Sequence, residues 1–156
     1  MGRVLAIALG LFTWGSVAAW AHQIDQTTPT TTWNLYVEGD QAKLAYGAPN
    51  SDLVGVMLSC NRGDGAVTVS GDVSPDKPQL VLTSGKRELT LSGPAESDPF
   101  GGGLYMEARA STHDGALARF ARTGDLSLQR GYGETDMHAS ANAKGDIQRF
   151  FAHCEA

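Results

Sequence analysis

The residues of this chain best suited to chemistry are two cysteines, Cys60 and Cys154, and four histidines, His22, His113, His138 and His153. No pair of histidines has His-x-x-x-His or zinc-finger spacing, so no local metal motif is present. His22 differs in kind. If it became the first residue of a processed chain, its free amine and imidazole would form a chelate suited to Cu(II). Met137-His138 offers a second soft/imidazole pair. Copper is therefore the one cofactor the residues suggest, through His22; otherwise none is expected. Nucleophile–base–acid sets do not assemble from spacing. Asp52, Asp64, Asp98, Glu107 and Asp125 are scattered and mostly fall in turns, where Asp is favoured for backbone reasons.

Three short motifs are explained by local structure. Arg62-Gly63-Asp64 spells an integrin-type tripeptide, but Gly and Asp are also what a hairpin tip requires. Ser74-Pro75-Asp76-Lys77 matches Ser-x-x-Lys, yet prolines flank it, and neither Ser-Asp-Asn nor Lys-Thr-Gly follows. Gly101-Gly102-Gly103 lacks the Gly-Lys-Ser/Thr that would make it a phosphate loop. With Asp98, Phe100 and Tyr105 around it, that glycine run is instead a candidate recognition loop, because loops on a rigid β-scaffold often carry binding residues.

The elements that must position these residues begin after a targeting signal. Arg3 precedes an apolar run from Val4 to Phe12, and small residues end in Ala19-Trp20-Ala21. This charged, apolar, A-x-A layout predicts a secretory signal peptide over 1–21, with Ala19 as a second cleavage point. The run is interrupted by Gly10, Gly15 and Ser16 and falls short of the roughly 20 apolar residues a span needs. Cleavage after Ala21 removes one cation and no acid from a 156-residue chain of formal charge −5, leaving −6. The expected compartment is the periplasm or the exterior, with no membrane span after cleavage. An acidic chain also lacks the overall basic footprint of a nucleic-acid binder.

Residues 22–31 are polar and aperiodic, a flexible lead-in to a single domain over 32–156. Apolar residues then alternate: Trp33, Leu35 and Val37; Ala42, Leu44 and Tyr46; Val54, Val56, Leu58 and Cys60; Val67 and Val69; Leu80 and Leu82; Leu89 and Leu91; Leu104, Met106, Ala108 and Ala110. Turn residues separate these runs. The spacing predicts an antiparallel sandwich or barrel of about eight to nine strands. Residues 93–103 are its longest predicted loop. Leu117, Phe120 and Ala121 change the period and predict a short helix stopped by Gly124. Strands at Leu126–Leu128 and near Met137 follow. A final helix, capped by Asp146, carries Ile147, Phe150, Phe151 and Cys154 on one stripe.

That stripe buries Cys154, and alternation buries Cys60. In an exported chain the two should form one disulfide, closing a long loop and contributing about 4–5 kcal/mol. The Trp-led hairpin, Tyr46-Gly47-Ala48-Pro49-Asn50-Ser51-Asp52, the strand ending in Cys60, Phe120-Ala121-Arg122-Thr123-Gly124-Asp125-Leu126 and the helix ending in Cys154 resemble a group of uncharacterised exported alphaproteobacterial β-rich proteins. The resemblance covers most of the mature chain and implies architecture without chemistry. A weaker, architecture-level similarity is to periplasmic inhibitors of c-type lysozyme, small β-barrels with an early strand Cys bridged to a C-terminal Cys. Their Ser-Ala-Ser-Gly run followed by Tyr is absent, and Gly101-Gly102-Gly103-Leu104-Tyr105 does not replace it. The expected function is a non-enzymatic binding or envelope-accessory module for an unknown protein or envelope component. The alternatives are a periplasmic copper-binding protein using His22 and a small hydrolase.

Overall fold

The computed structural model describes residues 30–51, 53–97, 103–130 and 133–156. The signal-peptide and lead-in expectations for residues before 30 lie outside them. The described residues hold ten strands and two helices. In chain order these are β1 (Thr32–Glu38), β2 (Gln41–Gly47), β3 (Val54–Asn61), β4 (Ala66–Val73), β5 (Gln79–Ser84), β6 (Arg87–Ser92), β7 (Ala95–Ser97), β8 (Leu104–Ser111), α1 (Gly115–Thr123), β9 (Asp125–Arg130), β10 (Gly133–His138) and α2 (Ala141–Cys154).

The strands form two antiparallel sheets, β1-β2-β3-β4-β8-β7 and β10-β9-β5-β6. The sheets stack like a sandwich and do not close into a barrel. Strand side chains alternate between faces, so cross-strand register carries one apolar row from strand to strand. In the larger sheet Leu44 pairs with Leu58, Leu58 with Val69 and Val69 with Ala108. In the smaller, Leu82 pairs with Leu89 on one side and Leu128 on the other. All seven are buried or nearly so, and they line the core with the helices. α2 packs on β1, β2 and β3; α1 packs on β5, β6 and β9; the two helices touch. At their junction the Trp33 ring lies 4.8 Å from Phe120, which meets Phe151 edge-on. Trp33 Nε1 also donates to the Met137 carbonyl, joining the first strand of one sheet to the edge of the other.

Cys60 and Cys154 are bridged, with Cα atoms 5.7 Å apart and 94 residues of sequence between them. Around the bridge the chain end is stitched to two hairpins. Gly65 N donates to Cys154 O, and His153 Nε2 donates to Asp40 O at 2.8 Å.

Three expectations are corrected. Val37 and Val54 are about half exposed rather than inward. Val37 lies at the hairpin end, beyond the packed layer. Val54 precedes a register shift at Tyr46/Gly47, which turns the strand end out of phase. The loop over 93–103 contains a short strand, β7, paired with the start of β8; three residues are too few to show a period. The final helix is capped by Ser140, not Asp146. The Ser140 hydroxyl accepts from Ala143 N, and Asp146 lies inside the helix, paired with Arg149. Gly145, a helix breaker by propensity, hides that earlier start from a sequence reading. Ser140→Ala should therefore cost about 1 kcal/mol in thermal or urea melts. Asp146→Ala should change stability by less than about half of that, because it loses only a surface pair. The reverse order would place the cap at Asp146.

Candidate functional site

The described histidines are dispersed. His138 and Met137 are neighbours in β10, so strand alternation points them to opposite faces. Met137 is in the core, and His138 is exposed beside Asp125, 3.1 Å away. His113 faces Glu155, and His153 is buried against the β1–β2 turn. Among the described residues no three His, Cys, Asp or Glu side chains converge to hold a metal ion. His22 lies outside the described residues.

Strand pairing does bring together Ser127, Asp136, His138 and Asp125, on the outer face of β9 and β10. They form two separate pairs. The Ser127 hydroxyl donates to Asp136 at 2.6 Å, while His138 pairs with Asp125. The hydroxyl is thus held by a carboxylate rather than by an imidazole, unlike a nucleophile–base–acid relay.

The integrin-type tripeptide is absorbed into the hairpin. The Arg62 guanidinium faces Asp40, the Gly63 backbone has φ +75°, and the Asp64 carboxylate accepts from Asn61 N. Ser74 and Lys77 are bridged through their backbones in a tight turn, away from any helix start. Of the glycine-rich recognition loop, Asp98, Phe100, Gly101 and Gly102 lie outside the described residues. Gly103 is exposed. Tyr105 is half-buried in β8, where it lines a shallow cleft of about 340 Å³ with Pro94, Glu96 and Glu107.

A different surface concentrates charge. Where the β5–β6 turn meets α1, a cleft of about 570 Å³ is lined by Gly85, Lys86, Arg87, Gly115, Arg119 and Arg122. Arg87 belongs to the inward-facing set of β6, with Leu89 and Leu91, so it points toward α1. Arg119 and Arg122, at i and i+3, share a helix face. Two glycines let the cations approach the backbone. Gly85, at φ +57°, occupies a conformation that L side chains rarely adopt, and a Cβ there would overlap the Arg119 guanidinium. At Gly115 a Cβ would sit 3.4 Å from Arg87 Cδ. None of these four cationic side chains has a salt bridge or hydrogen bond to another described residue. Four of the twelve Lys and Arg of an acidic protein thus face one cleft without a counter-ion among the described residues. Sequence reasoning missed this group. Its signals were the Lys86-Arg87 dipeptide after a turn glycine and the Arg119/Arg122 helical pair, which only packing unites.

A second cleft, of about 400 Å³, opens between the sheets and is lined by Tyr46, Leu53, Val54, Arg130 and Met137 among others. Its single cation already has a partner, since Arg130 reaches Asp72 at 3.9 Å.

Compared with known protein families, curated proteins and solved structures, the chain matches none. Among the described residues no helix is long and apolar enough to cross a membrane.

Proposed function

We propose that this protein is an exported binding module that takes an anionic ligand in the cleft between the β5–β6 turn and α1. The observation that carries this reading is the convergence of Lys86, Arg87, Arg119 and Arg122 without acidic partners among the described residues. Like charges held together repel and raise the energy of the folded state, so their co-location favours a bound counter-charge. Arg is suited to the task, because its planar fork binds phosphate or carboxylate through two hydrogen bonds. Two features support export to the periplasm or exterior: the charged, apolar, A-x-A start of the chain, and a disulfide of the kind that persists in oxidising compartments.

A protein of formal charge −5 has no bulk reason to bind a cation exchanger at pH 7. This one should be retained on phosphocellulose at low ionic strength through the cleft alone, and the Arg119→Gln/Arg122→Gln double variant should pass through. Retention should fade as salt shortens the Debye length to about 8 Å near 0.15 M. Identical elution of both proteins would refute the reading.

A further inference from the structure

We infer that the ligand of this cleft is a compact, water-soluble molecule bearing two phosphate groups. The inference rests on the anion-binding reading above and narrows it.

Charge balance is the first argument. The cleft presents four cations, three of them guanidiniums. A phosphate monoester carries about −1.5 to −2 at neutral pH, so one group leaves about half of that charge unmatched, and two carry about −3 to −4. Shape is the second argument. A volume of about 570 Å³ lies within the range of small-molecule sites and exceeds the needs of a single inorganic anion. The cations are supplied by two different elements. Lys86 and Arg87 come from a strand turn and Arg119 and Arg122 from a helix face, with the Arg119 guanidinium against Gly85 and the Arg87 side chain against Gly115. A ligand with two phosphates would engage cations from both elements. Its middle would rest against the aliphatic stems of the arginines, which are apolar up to the head group.

The third argument separates a free ligand from a lipid head group of the same chemistry. Among the described residues, the exposed large apolar side chains are Tyr36, Val37, Leu53 and Val54. They belong to β1 and to the residues at and just before the start of β3, and none lies on the β5–β6 turn or α1. The cleft therefore has no apolar flank, among the described residues, with which to enter a bilayer.

Calorimetric titration of the full processed chain tests this with fructose 1,6-bisphosphate, glucose 6-phosphate and inorganic phosphate as probes. The bisphosphate should bind at one per chain and at least about tenfold more tightly than either single-phosphate probe, the gain expected of one further charge-assisted contact. Arg119→Gln and Arg87→Gln should each weaken it about tenfold. Arg149→Gln, which removes the same charge from a helix surface outside the cleft, should leave it unchanged. Equal affinity for all three probes, abolished by Arg119→Gln, would overturn the two-phosphate inference and keep the cleft as an anion site. Equal weakening by Arg119→Gln and Arg149→Gln would overturn both. Vesicles bearing a bisphosphorylated lipid that bind far more tightly than the soluble probe would overturn the choice of a free ligand.

Discussion

Removing the disulfide should be the most damaging single covalent change, lowering stability by about 4 kcal/mol in Cys154→Ala. The bridge closes 94 residues and so restrains most of the described chain in the unfolded state. In the chain-entropy account a loop of this length stabilises more than a short one. Both cysteines are buried, Cys60 beside Ala42 on the sheet and Cys154 at the end of the α2 stripe. Breaking the bond therefore also loosens the seam where α2 meets β3 and the β1–β2 turn. For a domain of this size the loss corresponds to a melting temperature lower by about 15 °C. Because one bond is at stake, Cys60→Ala and the double variant should lose about as much as Cys154→Ala. Wild type melted in reductant should fall to the same level. A reduced protein that melts with the oxidised one would show that packing alone holds the helix.

Much of this architecture was legible in the residues because two periods differ sharply. Val56, Leu58 and Cys60 recur every second residue, while Ile147, Phe150, Phe151 and Cys154 recur at helical spacing. Each pattern independently turns its cysteine inward, so the bridge could be read before any coordinates. Patterns also gave the β1–β2 and β5–β6 hairpins and the Gly124 stop of α1, where the backbone adopts the left-handed conformation at φ +77°.

The exceptions share a cause. β7 is three residues long, Val54 sits next to a bulge, and Ser140 caps a helix that runs through Gly145. In each case the deciding interaction is a partner strand or a local hydrogen bond, not a repeat in the sequence. The cationic cleft is the extreme case. Lys86-Arg87 and Arg119/Arg122 lie some thirty residues apart, and their convergence depends on α1 packing across β5 and β6. Periodicity shows that α1 has an apolar face, but not which strands that face covers. The net charge of −5 is a sum over the chain and carries no sign of a local positive surface.

Trp33→Ala should cost about 4 kcal/mol, as expected for truncating a fully buried large aromatic residue. Trp33 is 2% exposed, and its ring lies 5.2 Å from Tyr46 and 4.8 Å from Phe120. It is therefore where β1 and α1 meet, and Phe120 continues the contact to Phe151 of α2. The informative variant is Trp33→Phe, which keeps an aromatic ring in the cluster and removes the indole donor. Met137 O, which Trp33 Nε1 reaches at 3.2 Å, then loses a buried partner at the outer edge of β10. An unsatisfied buried carbonyl costs about 1–3 kcal/mol, so Trp33→Phe should lose roughly half of what Trp33→Ala loses. The two effects should also differ in place. Among the described residues β10 has a ladder partner on one side only, β9, and the indole ties its other edge to the larger sheet. Amide exchange in Trp33→Phe should accelerate in β10 well before α2, as a local opening rather than a global one. In Trp33→Ala the whole aromatic junction is undercut, and α1 and α2 should exchange faster together with β10. Uniform acceleration in Trp33→Phe would mean that the indole hydrogen bond stabilises the core as a whole rather than pinning this edge.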